Sequence, residues 1–146
     1  MAAIVVWRNW DFSIFPLIIE VKMSKKFIYK YDDSTRILYK YYYGPITIED
    51  IYSSWDYAIS NNLIPKGTRS FILDYTGASI DIKVKEYTKI AEYYRNHLEI
   101  FKDCKIAVIT QIPKDVVIPT LVEAIDEGYH SKPFYMLEAA IDWVLK

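Results

Sequence analysis

The segment Asp74-Tyr75-Thr76-Gly77-Ala78-Ser79 gathers a carboxylate, hydroxyls and a glycine within a few residues. Such a carboxylate can hold a cation or accept a phosphoryl group, and a Thr or Ser hydroxyl can be phosphorylated. The same groups also satisfy loop and helix-start amides without doing any chemistry. The apolar run Phe71-Ile72-Leu73 leads into the segment and reads as a strand covered on both faces, because a sheet with one wet face would alternate. α/β folds place ligands and partners at the carboxyl ends of such strands. Asp74, Tyr75, Thr76, Gly77 and Ser79 therefore form the candidate ligand- or partner-binding loop.

The other reactive side chains are sparse. Cys104 is the single cysteine, so it forms no internal disulfide, and its place before the apolar run 106–109 makes it a reduced, buried thiol. His97 and His130 belong to no Cys/His cluster, so no metal site and no cofactor are expected. His97 falls in a polar patch of a predicted helix, where a solvated histidine is expected. No nucleophile, base and orienting group can be named together, so no catalytic residue is assigned and a noncatalytic role is expected. Lys and Arg number 18 against 19 Asp and Glu, which leaves no basic footprint for nucleic acid.

The elements that must position these groups are legible along the chain. At 146 residues one domain and one core are expected. Residues 1–22 differ from the rest: two short apolar runs are broken by Arg8, Asn9, Asp11 and Pro16. Neither run reaches the ~20 residues of a membrane span, and no basic region or small-residue cleavage site marks a signal peptide. The expectation is an N-terminal extension over 1–22, either an upstream translated segment or an added arm at a sheet edge or subunit contact. The domain then spans 23–146 in a cytoplasmic protein.

Phe27, Tyr29 and Tyr31 alternate with Ile28 and Lys30. Asp32-Asp33-Ser34-Thr35 supplies a turn, and Ile37, Tyr39 and Tyr41 alternate with Leu38 and Lys40, which together predict a β-hairpin. Gly44-Pro45 ends its second strand. Thr47-Ile48-Glu49-Asp50 has capping-box spacing, with Ile46 and Ile51 placed as a staple, so a helix begins at Thr47. A strand follows over 69–74, then an amphipathic helix over 81–101, a strand over 105–110, a helix over 113–127, a short strand over 134–136 and a helix over 138–145. The four tyrosines Tyr39, Tyr41, Tyr42 and Tyr43 are read chiefly as strand formers, with a sticky aromatic surface as the other use of such a group. The order ββαβαβαβα predicts a single-domain α/β fold, with an N-terminal hairpin plus parallel strands in one mixed sheet packed with about four helices.

Several stretches together resemble one family. They are Lys30-Tyr31-Asp32-Asp33, Tyr43-Gly44-Pro45-Ile46-Thr47-Ile48-Glu49-Asp50, Lys66-Gly67-Thr68-Arg69 before Ile72-Leu73-Asp74, Lys105-Ile106-Ala107-Val108-Ile109, and Ala139-Ala140-Ile141-Asp142-Trp143-Val144-Leu145. Their order and spacing over 27–146 resemble the STAS/SEC14-like, or SpoIIAA-like, family of small bacterial α/β proteins. The resemblance implies a noncatalytic regulatory or binding module, with a protein partner or a small apolar ligand such as a lipid, and with homodimerisation open. Anti-sigma factor antagonists of this kind carry a phosphorylated serine in an Asp-Ser-Ser-Gly pattern. This chain has Asp74-Tyr75-Thr76-Gly77 instead, which leaves Thr76 and Ser79 as candidate hydroxyls outside that pattern. A rival arrangement is a receiver-like phosphoacceptor domain, for which Asp32, Asp33, Asp74, Thr110 and Lys132 stand in suggestive order. A strand pattern over 35–43, where a receiver needs a helix, opposes it.

Overall fold

The computed structural model describes residues 3–7, 18–22 and 26–146. Among them one sheet runs in chain order: β1 (Ala3–Trp7), β2 (Ile18–Lys22), β3 (Phe27–Asp32), β4 (Ile37–Ile46), β5 (Ser70–Ile80), β6 (Lys105–Ile109) and β7 (His130–Phe134). Pairing is antiparallel from β1 to β4 and parallel from β4 to β7. The crossovers are α1 (Ile48–Ser60), α2 (Tyr87–Asn96) with α3 (Leu98–Phe101), and α4 (Val117–Ala124), and α5 (Leu137–Leu145) ends the chain.

Parallel neighbours joined in chain order by right-handed crossovers place every crossover helix on one face. Two cores result. Phe27, Tyr29, Leu38, Tyr42, Phe71, Leu73, Ile106 and Val108 pack under α1 to α4 with Trp55, Tyr94 and Phe101. On the other face Ile37, Ile72, Ala107 and Ile109 meet Ala140 and Val144 of α5, while Ile141 and Trp143 are partly buried there. The run Phe71-Ile72-Leu73 is thus covered on both faces, as its lack of alternation requires. The capping box forms as its spacing predicts: the Asp50 amide donates to Thr47 Oγ1 at 3.2 Å and the Thr47 amide to Asp50 Oδ2 at 3.0 Å.

Several boundaries differ from the sequence expectation. Gly44-Pro45 does not end β4, because β3 stops pairing at Tyr42 and proline's missing N–H costs no ladder bond on that side. The predicted helix over 81–101 is three pieces: a 3-10 turn over Val84–Glu86, then α2 and α3, which separate at His97 (φ −126°, ψ 41°). His97 is half-buried rather than solvated, with Nδ1 2.8 Å from the Tyr93 carbonyl oxygen and its ring stacked on Tyr93. The helix over 113–127 begins as a 3-10 turn, Pro113–Val116, and α4 ends at Ala124. The last strand lies at His130–Phe134 rather than 134–136, since a sheet-edge strand does not need an apolar run.

Residues 1–22 contribute β1 and β2, which extend the sheet outward from β3, while Met23 lies outside the described residues. From Phe27 onward the chain packs a core of its own on each face of the sheet. A chain beginning at Met23 is therefore expected to unfold in one cooperative transition, because β3 keeps its β4 ladder and its core. A broad, non-cooperative melt by circular dichroism would show that β1 and β2 are required.

Candidate functional site

The sequence-nominated segment is strand, not loop. β6 ends where Ile109 faces Asp74, but β5 runs on to Ile80 alongside β4 alone. A register shift between Tyr41 and Tyr43 gives β5 one extra residue there, a bulge that keeps the tail paired. Two carboxylates replace hydrogen bonds that a neighbouring strand would make. Asp74 Oδ1 accepts from the Thr76 amide at 2.8 Å, and buried Asp115 accepts from the Ile80 amide at 3.0 Å through Oδ2 and from Lys114 Nζ at 3.0 Å through Oδ1. Asp115→Ala is expected to cost about 1–3 kcal/mol by stranding the Ile80 N–H, with Asp115→Asn retaining most of the stability. Equal urea midpoints for Asp115→Ala and the parent would refute this account of the β5 tail.

The five nominated residues take different parts. Tyr75 is buried and stacks on Tyr42 with ring centroids 4.0 Å apart, and burial raises its pKa. Gly77 admits the Tyr43 ring: a Cβ there would stand 2.9 Å from Tyr43 Cδ1. Thr76 and Gly77 are exposed, while Asp74 and Ser79 are half-buried. Thr76 and Ser79 therefore lie in mid-strand, ahead of the turn that begins at Val84 rather than at a helix start. The acids of the receiver-like arrangement are separated: Asp32 and Asp33 sit at the β3–β4 turn, at the amino end of the parallel strands, and Thr110 follows β6 at the carboxyl end.

What gathers at the carboxyl end is apolar. Val84 is 54% exposed in the β5–α2 connection, and Ile112, Val116 and Val117 are exposed where β6 passes into α4. Tyr135 (67% exposed), Met136 and Leu137 follow β7. Hydrogen bonds tie these connections into one rim: Asp115 to Ile80 on one side, and on the other the Thr110 amide to the Phe134 carbonyl and Gln111 Nε2 to the Tyr135 carbonyl. Tyr43, at the end of β4, completes the group, and among the described residues Leu145 is the exposed large apolar side chain outside it. Sequence reading missed this surface because it placed Val84 within one long amphipathic helix over 81–101 and Tyr135 and Met136 in a strand. Val84 lying between Lys83 and Lys85 was the available signal.

Inside the sheet, Lys40 is fully buried among Phe27, Tyr29, Tyr42 and Trp55, with Nζ 3.9 Å from the Trp55 ring centroid and 2.5 Å from Ser54 Oγ. Burial holds its pKa well below the usual lysine range. A cavity between the sheet and α1, α2 and α4, lined by Leu73, Tyr75, Ile80, Ile90, Tyr94 and Ile118 among others, offers about 30 Å³. That is far below the roughly 150 Å³ that admits benzene in an apolar core, so this space is packed interior rather than a lipid tunnel.

Burial, with Asp103 nearby, pushes the Cys104 thiol up to about 11, and its sulfur faces the Thr68 and Ile100 carbonyls rather than a base. Among the described residues no three His, Cys, Asp or Glu side chains converge as metal ligands, and no helix is long and apolar enough to cross a membrane.

No protein-family model and no curated protein matches this chain. Among solved structures it is similar to an uncharacterized protein from the DUF3478 family with a SpoIIAA-like fold from Shewanella loihica PV-4. The two are 18% identical, the match covers 98% of this chain and 93% of that one, and the TM-score is 0.50. At that identity the likeness speaks to fold: this chain has a SpoIIAA-like α/β fold, in agreement with the resemblance carried by its motifs.

Proposed function

We propose that this chain is a noncatalytic STAS-type binding module that engages a protein partner through the carboxyl end of its parallel strands. One observation carries the proposal: among the described residues nearly all the exposed large apolar side chains, from Tyr43 and Val84 to Tyr135 and Met136, collect on that rim, the customary ligand end of an α/β sheet. Tyr and Met are residues that protein interfaces favour, and Lys83, Lys85 and Lys114 give the patch a polar border. The half-buried Asp74 and Ser79 and the exposed Thr76 flank the rim on the β5 tail, where they contribute polar contacts to the same surface.

The noncatalytic part is supported by the engagement of Cys104 and His97 with backbone carbonyls instead of with each other or with a carboxylate. Cross-linking mass spectrometry on the tagged full chain in its native cells tests the proposal. A hetero-partner linked through Lys83, Lys85 or Lys114 is expected, and Val117→Asp/Met136→Asp should abolish its recovery while leaving the melting temperature unchanged. Links confined to the opposite end of the sheet, or undiminished recovery by the folded double variant, would overturn it. Links only between copies of this chain would replace the partner with a homodimer.

A further inference from the structure

At the amino end of β5 and β6 the α1–β5 connection faces α3 and the turn into β6 across an open cleft of about 270 Å³. We infer that this cleft binds a small amphiphilic anion, with its apolar body on Ile64, Leu98 and Ile100 and its charged head between Lys66 and Lys102. The site lies at the opposite end of the sheet from the proposed partner surface and stands independently of it.

The lining divides in the way such a ligand requires. Ile64, Leu98 and Ile100 rest on the main core but are only partly buried, so each keeps apolar surface in the cleft. Covering that surface is favourable in proportion to the area removed from water. Lys66 and Lys102 are exposed on the two walls, and among the described residues neither makes an ion pair or a side-chain hydrogen bond. The lining sets two lysines against one acid, Glu99, with Asp103 beside Cys104, so the attraction for an anionic head comes from Lys66 and Lys102 directly. A lysine ammonium is a flexible point charge that can follow a small anionic head without a rigid fork. Gly67 turns the chain at φ +86°, and a Cβ there would meet nothing within 4 Å, so this wall stays open. The volume lies just under the roughly 300–1,000 Å³ of small-molecule pockets, which points to a short ligand rather than a long-chain lipid.

Cys104 also lines the cleft, and as the single cysteine it provides an internal reporter. The probe is octanoate, titrated below its micelle concentration into the full-length chain and followed by amide chemical shifts and by the alkylation rate of Cys104. Saturable shifts at Gly67, Thr68, Leu98 and Lys102 are expected, with slowed alkylation. Octanol, which lacks the head, and acetate, which lacks the tail, should each bind about tenfold more weakly or worse. Lys66→Gln/Lys102→Gln should weaken octanoate by about tenfold or more at an unchanged melting temperature. The inference is overturned by the absence of saturable shifts, by shifts confined to the carboxyl-end rim, by octanol binding as tightly as octanoate, or by parental affinity in the double variant.

Discussion

Trp55→Ala is expected to remove about 3–5 kcal/mol of stability, a large part of the roughly 5–15 kcal/mol that holds a domain of this kind folded. Trp55 is fully buried at the centre of α1 and joins the helix to β3, β5 and α3. Its ring meets Phe71 edge-on at 5.8 Å and Phe101 at 5.3 Å, and lies tilted against Tyr29 at 6.2 Å. Truncation leaves a cavity whose walls come from three separate elements, and rigid sheet strands on one side cannot collapse to fill it. A urea titration followed by far-ultraviolet circular dichroism gives the midpoint, and Trp55→Phe, which keeps a ring, should lose much less. A Trp55→Ala midpoint within error of the parent would mean that α1 does not pack on the sheet as described.

Lys40→Met is expected to act in the opposite direction, raising stability by about 1–4 kcal/mol at neutral pH. The four rings around Lys40 attract an ammonium ion, but a fully buried ammonium loses its hydration and no carboxylate among the described residues compensates it, so burial shifts the amine towards its neutral form. Methionine preserves the length and volume of the stem. Ser54 is not stranded by the change, because its hydroxyl still donates to the Ile51 carbonyl at 2.9 Å.

The folded-state pKa of Lys40 lies below the unfolded value of about 10.4, so the unfolded chain binds the extra proton between the two. Stability contributed by this group is complete above the unfolded value and is lost as pH falls through the folded one. The parent should therefore gain stability relative to Lys40→Met as pH rises across that window. Tyr29 and Tyr42, which face the amine, have pKa values raised by burial and remain neutral there. In Lys40→Met this contribution should vanish, while Cys104 and the buried tyrosines, whose pKa values are raised, contribute the same opposite slope to both proteins. Urea midpoints from about neutral pH to about pH 10 report both effects, and a less stable Lys40→Met with the parent's pH dependence would refute the account.

The sequence by itself determined the order of elements, the hairpin, the capped start of α1 and the doubly covered strand at Phe71-Ile72-Leu73. Each of these rests on interactions within a few residues or on periodicity, such as Thr47 bonding Asp50 across one turn. Tertiary structure decided how far β5 runs, because that depends on the length of its β4 partner and on Asp115, 35 residues away, accepting from Ile80. It also turned Asp74 from a loop acid into a backbone cap, and it separated Asp32 and Asp33 from Thr110 by putting them at opposite ends of the sheet. The rim of Val84, Val116, Tyr135 and Met136 exists only because parallel crossovers bring the three connections to one end. Lys40 shows the limit most sharply. A period of two says that it shares a face with Leu38 and Tyr42, but which face is buried is fixed by where the crossover helices pack, and no local pattern around a lysine reveals that it will lie under them.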